Sequence, residues 1–181
     1  VDGERMNETP SIDRDMAMIF KNGKLYPQMN IYDNLAFGLK LKELPIGEID
    51  ARIAEVTQVL NIGHLLDKMT EDLDEKERAL VVLGRAIVKK PKVFLLDEPF
   101  SSLSKELKKE MQELLWSLYE KMQITVVYVT HNSEDIRHTD TRVAVMNDGS
   151  VQQIGTIGEL YDKPATPYVS EFLGVPAEEV C

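Results

Sequence analysis

The chain has almost no cysteine: its single thiol, Cys181, is the last of 181 residues. A disulfide framework is therefore excluded, and a reducing cytoplasm is the expected setting. No apolar run approaches the length of a membrane span, and no charged-then-apolar leader opens the chain. Positive charge is scarce, with 21 bases against 31 acids and a net charge of −10. That balance argues against a nucleic-acid surface and otherwise fits a soluble protein. Internal repeats and low-complexity segments are missing too. What remains is 43% apolar content in a length that suits one domain with a real core. The first residue is Val1 rather than methionine, which hints at a fragment.

The most informative stretch is Val93-Phe94-Leu95-Leu96-Asp97-Glu98-Pro99. An apolar run closed by two carboxylates and a proline predicts a strand buried on both faces. The acids fall where the strand leaves the sheet, the usual ligand end of an open α/β sheet. There Asp97 could hold Mg²⁺, and Glu98 could orient or deprotonate a water, as phosphoryl transfer requires. The same pattern also reads as an acidic turn closing a core strand.

Other elements follow in order. Met16–Phe20 reads as a buried strand, broken by Lys21-Asn22-Gly23-Lys24. Asn30 can cap a helix from Ile31 to about Leu41, and Ile49, Ile53, Val56 and Leu60 mark a second helix over 48–60. Ile62–Leu66 reads as a turn. Asp74-Glu75-Lys76-Glu77 opens a third helix that Lys89-Lys90 and Pro91 end, as the helix dipole favours. A helix at 105–121 precedes Ile124–Val129, whose β-branched residues suggest a central strand, with Thr130-His131-Asn132 at its carboxyl end. Arg142–Met146 and Ser150–Ile154 form a hairpin about Asp148-Gly149, and two short helices follow over Thr156–Asp162 and Pro167–Gly174. The alternation implies an α/β fold with a parallel sheet.

Leu83-Gly84-Arg85-Ala86-Ile87, Leu96-Asp97-Glu98-Pro99, Tyr128-Val129-Thr130-His131, Val145–Gly149 and Glu159–Pro164 together resemble the nucleotide-binding subunit of ABC transporters. Met18-Ile19-Phe20, Leu25-Tyr26-Pro27 and Asn34–Lys40 are similar to the glutamine-loop segment of the sugar and glycerol-phosphate importers within that family. The resemblance implies a P-loop NTPase-like (RecA-like), mostly parallel sheet over 1–29 and 91–181, with an inserted α-helical subdomain over 30–90. It implies ATP and Mg²⁺ as cofactors, Asp97 as the metal residue, Glu98 as the catalytic base and His131 as the switch histidine. The implied partners are a transmembrane permease subunit and a second nucleotide-binding subunit. The implied location is the cytoplasmic face of the membrane. His64 and His138 match nothing in the family and read as surface or packing residues.

Several positions depart from the family pattern. No G-x-x-x-x-G-K-[ST] phosphate loop occurs; Gly23-Lys24 is followed by Leu25, and Met18 stands where the first glycine belongs. The chain is expected to begin after that loop, without its strand and without the N-terminal β-subdomain. It also stops near Val180, where the importers would continue into a β-rich regulatory domain. Lys21 takes the place of the glutamine that touches Mg²⁺, where an ammonium would repel the metal or attract a phosphate. Leu73-Asp74-Glu75-Lys76-Glu77 aligns with the L-S-G-G-Q signature, so both glycines that should let backbone approach a γ-phosphate are gone and three carboxylates, Asp74, Glu75 and Glu77, have arrived. Like charges a few ångströms apart repel by about 1 kcal/mol in water and more when desolvated. Ser104 replaces the D-loop aspartate.

The expectation is a degenerate ATP-binding subunit of a solute importer that does not hydrolyse ATP alone. The alternative is a non-catalytic module that docks on a membrane subunit through Lys21–Asn30 and the helical block. A metal-dependent hydrolase using Asp97, Glu98 and His131 has little support. Without the phosphate-loop strand, the Tyr128 and Val143 strands are expected to pair directly, to be covered by association, or to leave the chain poorly stable.

Overall fold

The computed structural model describes residues 1–21, 23–122, 124–136 and 141–175; His138, Val180 and Cys181 lie outside them. The chain divides into two compact units, Val1–Val129 and Thr130–Cys181.

The first unit is built on a parallel sheet of β1 (Met16–Phe20), β2 (Val93–Asp97) and β3 (Thr125–Val129), in that spatial order. The register stacks Ala17, Phe94 and Val126 in one row and Ile19, Leu96 and Tyr128 in another. Because side chains alternate along a strand, both rows share one face. That face is the core: Ala17, Ile19, Phe94 and Leu96 are all buried. Two helices lie near it, α3 (Glu75–Ile87) and α4 (Lys105–Met122). α4 reaches β3 through Gln112, which donates to the Tyr128 hydroxyl at 3.3 Å, and through Trp116, whose ring centroid is 5.8 Å from that of Tyr128.

The opposite face corrects three expectations. Val93, Leu95 and Asp97 are half-buried, so β2 is fully covered on one face only. β1 is likewise one-sided, with Met18 43% and Phe20 58% exposed. β3 is an edge strand among the described residues, paired to β2 alone, with Val127 and Val129 exposed. β-Branched composition reports suitability for a pleated surface, not the number of ladder neighbours, which is why β3 reads as central from its sequence. Within the second unit the Val143 strand pairs with its own hairpin partner.

Between β1 and β2 lies the helical block. α1 (Ile31–Leu41) is capped by Asn30, whose side chain accepts from the Asp33 amide at 2.8 Å. α2 (Ile46–Leu60) starts two residues earlier than its apolar spacing suggests. Pro45 sits at its N-cap position, and a proline there interrupts nothing because no amide is needed. It ends at Asn61, left-handed at φ 54°. Gly84 lets α3 approach α1 and α2: a Cβ there would lie 3.2 Å from Leu60 and 3.4 Å from Leu35.

In the second unit β4 (Arg142–Asn147) and β5 (Ser150–Thr156) form an antiparallel hairpin. Asp148 and Gly149 turn it with φ of 47° and 74°, as a primed turn requires. α5 (Ile157–Asp162) and α6 (Pro167–Leu173) pack Leu160, Val169 and Leu173 with Val145 into a small separate core.

Candidate functional site

The carboxyl end of β2 is held on both sides, Asp97 standing in register with Phe20 and Val129. Glu98 then leaves the sheet with φ 46°. A left-handed non-glycine residue costs roughly 1 kcal/mol, so it persists only where its surroundings hold it. Here its amide donates to the Val129 carbonyl at 3.0 Å, and its carbonyl accepts from the Ser101 amide and hydroxyl at 3.2 and 3.1 Å. This turn presents the Glu98 carboxylate to Lys21, whose Nζ donates to Oε2 at 2.9 Å. Lys21 and Glu98 are thus brought together across 77 residues of sequence.

The donor set here does not fit a divalent cation well. Among the described residues no three His, Cys, Asp or Glu side chains converge as a metal-binding group, and an ammonium already lies against one of the two adjacent carboxylates.

Residues 74–77 are committed to starting α3. Asp74 accepts from the Glu77 amide at 2.7 Å, and Glu77 accepts from the Asp74 amide at 3.1 Å. This is a reciprocal capping box, written in sequence as D-x-x-E. Lys68 adds a charge-assisted contact to Glu77 at 3.0 Å. The backbone donor at Asp74, then Lys68, hold the Glu77 carboxyl below its usual range. Lys76 pairs with Glu110 on α4. Glu75 shares the helix start as expected, being the first residue of α3; it takes no part in the box, is exposed and lines a groove of roughly 750 Å³ with Arg78, Phe100 and Leu103. Lys68 and Glu110 carried no signal in the sequence, since each meets its partner only through the tertiary fold.

Ser104 starts α4. Its hydroxyl accepts from the Leu107 amide at 3.3 Å and its carbonyl from the Lys108 amide at 2.8 Å. His64 is a surface residue, 4.0 Å from Glu77 Oε1. His131 belongs to the second unit and is exposed, in a loop stitched by local bonds. There Thr130 donates to Asp135 at 2.6 Å and accepts from the Asn132 amide at 3.0 Å.

On the other side of Lys21 the loop is fastened by Asn34, a fully buried side chain on α1. Its Oδ1 accepts from the Tyr26 amide at 2.8 Å, while its Nδ2 lies 3.0–3.1 Å from the Tyr26, Met29 and Asn30 carbonyls. Tyr26 then lies between Phe37 (centroids 4.7 Å apart, rings tilted by 53°) and the Arg85 guanidinium, 5.4 Å from its ring. These residues line a groove of roughly 530 Å³ with Phe20, Leu41 and Lys89. Burial pushes the pKa of both Arg85 and Lys89 down, and for Lys89 the neighbouring Arg85 and Lys42 charges add to it. Asn34 lies within the Asn34–Lys40 motif, whose sequence carries no signal that it fastens the loop before α1.

The ABC transporter family model matches residues 1–101 of the chain. The oligosaccharides import ATP-binding protein MsmX of Bacillus subtilis is 42% identical over 177 residues, 98% of this chain and 48% of that protein. The trehalose/maltose import ATP-binding protein MalK of Thermococcus litoralis is 45% identical over 175 residues, 97% of this chain and 47% of that one. The chain therefore spans about half the length of the curated relatives it matches. Among solved structures, cbiO1 of Clostridium perfringens, part of the ABC transporter complex cbiONQ, superimposes with a TM-score of 0.73 at 28% identity. That match covers 82% of this chain and 59% of the other. With its parallel sheet and these matches, the chain belongs to the ABC transporter family and carries the fold of its ATPase domain.

Proposed function

We propose that this chain is a degenerate nucleotide-binding subunit of a carbohydrate importer, and that it does not hydrolyse ATP alone. The reading rests on residues inside the chain. The observation that carries it is the capping box of Asp74 and Glu77. A signature that met a γ-phosphate would need open backbone donors and no negative charge. Here the amides of residues 74 and 77 bond to carboxylates of the same turn. An incoming phosphate would have to displace them and then face their charge. Lys21 beside Glu98 and Ser104 at the D-loop position fit the same reading. By family, ATP and Mg²⁺ are the ligands such a site descends from. His131 is the switch-histidine position, Asp97 the metal position and Glu98 the base position, within a core over 1–29 and 91–181 and a helical subdomain over 30–90.

Calorimetric titration of the chain with ATP and Mg²⁺ tests this. The expected result is no binding tighter than about 1 mM, near −4 kcal/mol. Micromolar affinity, or phosphate release abolished by Glu98→Gln, would overturn it.

The groove beside Tyr26 favours a second, compatible reading: a docking module for a transmembrane permease subunit, working beside another nucleotide-binding subunit. Its apolar walls and two desolvated cations suit a short amphipathic segment carrying a carboxylate or helix C-terminus. Among the described residues no helix is long and apolar enough to cross a membrane, so attachment at the cytoplasmic face would come through such a partner.

A further inference from the structure

The contact between Lys21 and Glu98 is built from both ends. Lys21 follows β1 directly, and β1 ends at Phe20, in register with Asp97. Glu98 is set by its left-handed turn and the hydrogen bonds at its amide and carbonyl. The ammonium therefore meets the carboxylate from a strand end rather than from a wandering loop. The lysine side chain is 55% exposed and the glutamate 22%, so the pair contributes little to folding. Its consequence is electrostatic. A dication placed on Asp97 and Glu98 would stand within a few ångströms of Nζ, and at about 5 Å that repulsion in water alone is worth roughly ten-fold in a dissociation constant.

We infer that Lys21 is a tethered counter-cation, neutralising Glu98 in place of a divalent ion and keeping such ions off the Asp97–Glu98 strand end while the contact is intact. The inference rests on the proposed reading only for where a metal would sit. It says more than that the site is degenerate: one ammonium, fixed against Glu98, adds a repulsion that can be removed without touching either carboxylate.

The test is Mn²⁺ binding to the whole chain, without nucleotide, followed by the electron paramagnetic resonance signal of free Mn²⁺. Lys21→Met and Lys21→Gln are expected to bind about five- to ten-fold more tightly than wild type, since both remove the charge. Lys21→Arg is expected to match wild type. Adding Glu98→Gln to Lys21→Met is expected to abolish the gain, which separates this site from other surface acids. Unchanged affinity in the neutral variants would overturn the inference. So would an equal gain in Lys21→Arg, or a gain that survives Glu98→Gln. A gain with Lys21→Gln alone would make the amide a new ligand rather than the ammonium a barrier, and would overturn it as well. Micromolar nucleotide binding in the calorimetric titration bears on the proposed function and leaves these metal comparisons intact.

Discussion

The segment after β1 passes through two environments that use polar groups in opposite ways. Around Asn34 a fully buried amide meets one donor and three acceptors of the loop over residues 26–30. Around Glu98 and residues 74–77 exposed or half-exposed charges pair with one another across turns and between helices. Buried polar groups with every bond made are costly to disturb, whereas exposed ion pairs carry little stability and act mainly through their field. The Asn34 side is therefore expected to be stiff and essential to the fold, and the Glu98 side soft and electrostatically self-satisfied.

Replacing Asn34 with leucine should expose this contrast most strongly. It strands the part-buried Tyr26 amide and removes the donor that gathers three carbonyls, a loss of about 2 kcal/mol in unfolding free energy by urea denaturation. The same variant should lose capture by purified permease, because Tyr26 would no longer be held against Phe37 and Arg85. A loss below about 1 kcal/mol would place the two sides on the same footing.

Asp74→Ala should come next, at about 1 kcal/mol, the usual value of an N-cap. Asp74→Ser should restore most of it, since a hydroxyl also accepts from the Glu77 amide. If Asp74→Ala instead raised stability and opened nucleotide binding, the Glu98 side would be strained rather than settled.

The smallest effect concerns pH. Glu77 has its pKa lowered in the folded chain by the Asp74 amide first and Lys68 second. A carboxylate with a depressed folded value contributes stability that is present above its ordinary value of 4.5 and is lost as pH falls through the lowered one. Glu77→Gln should therefore be slightly less stable than wild type at pH 6 and should converge with it toward pH 3 in urea midpoints. A difference that persisted in acid would assign the loss to packing instead of charge.

Much of this was legible in the chain. Asn30 before Ile31, D-x-x-E at 74–77, Asp148-Gly149 and Thr156 each mark their element boundary because capping and turn chemistry are local. β3 was not legible as an edge, since a strand's residues say nothing about how many neighbours reach it. Lys21 was recognisable as foreign to its position, but not as the partner of Glu98, because that contact needs β1 and β2 in register. Asn34 lay in a motif whose spacing looks helical, and its four partners appear only when the loop folds back over α1.

Local rules, acting within a few residues, thus settled the helices, their caps and the acidic end of β2 from the sequence alone. Which charges meet, which face of the sheet is covered and which amide fastens the loop were decided by the tertiary structure. Those contacts join residues tens of positions apart, and no short-range propensity encodes a distance across the fold.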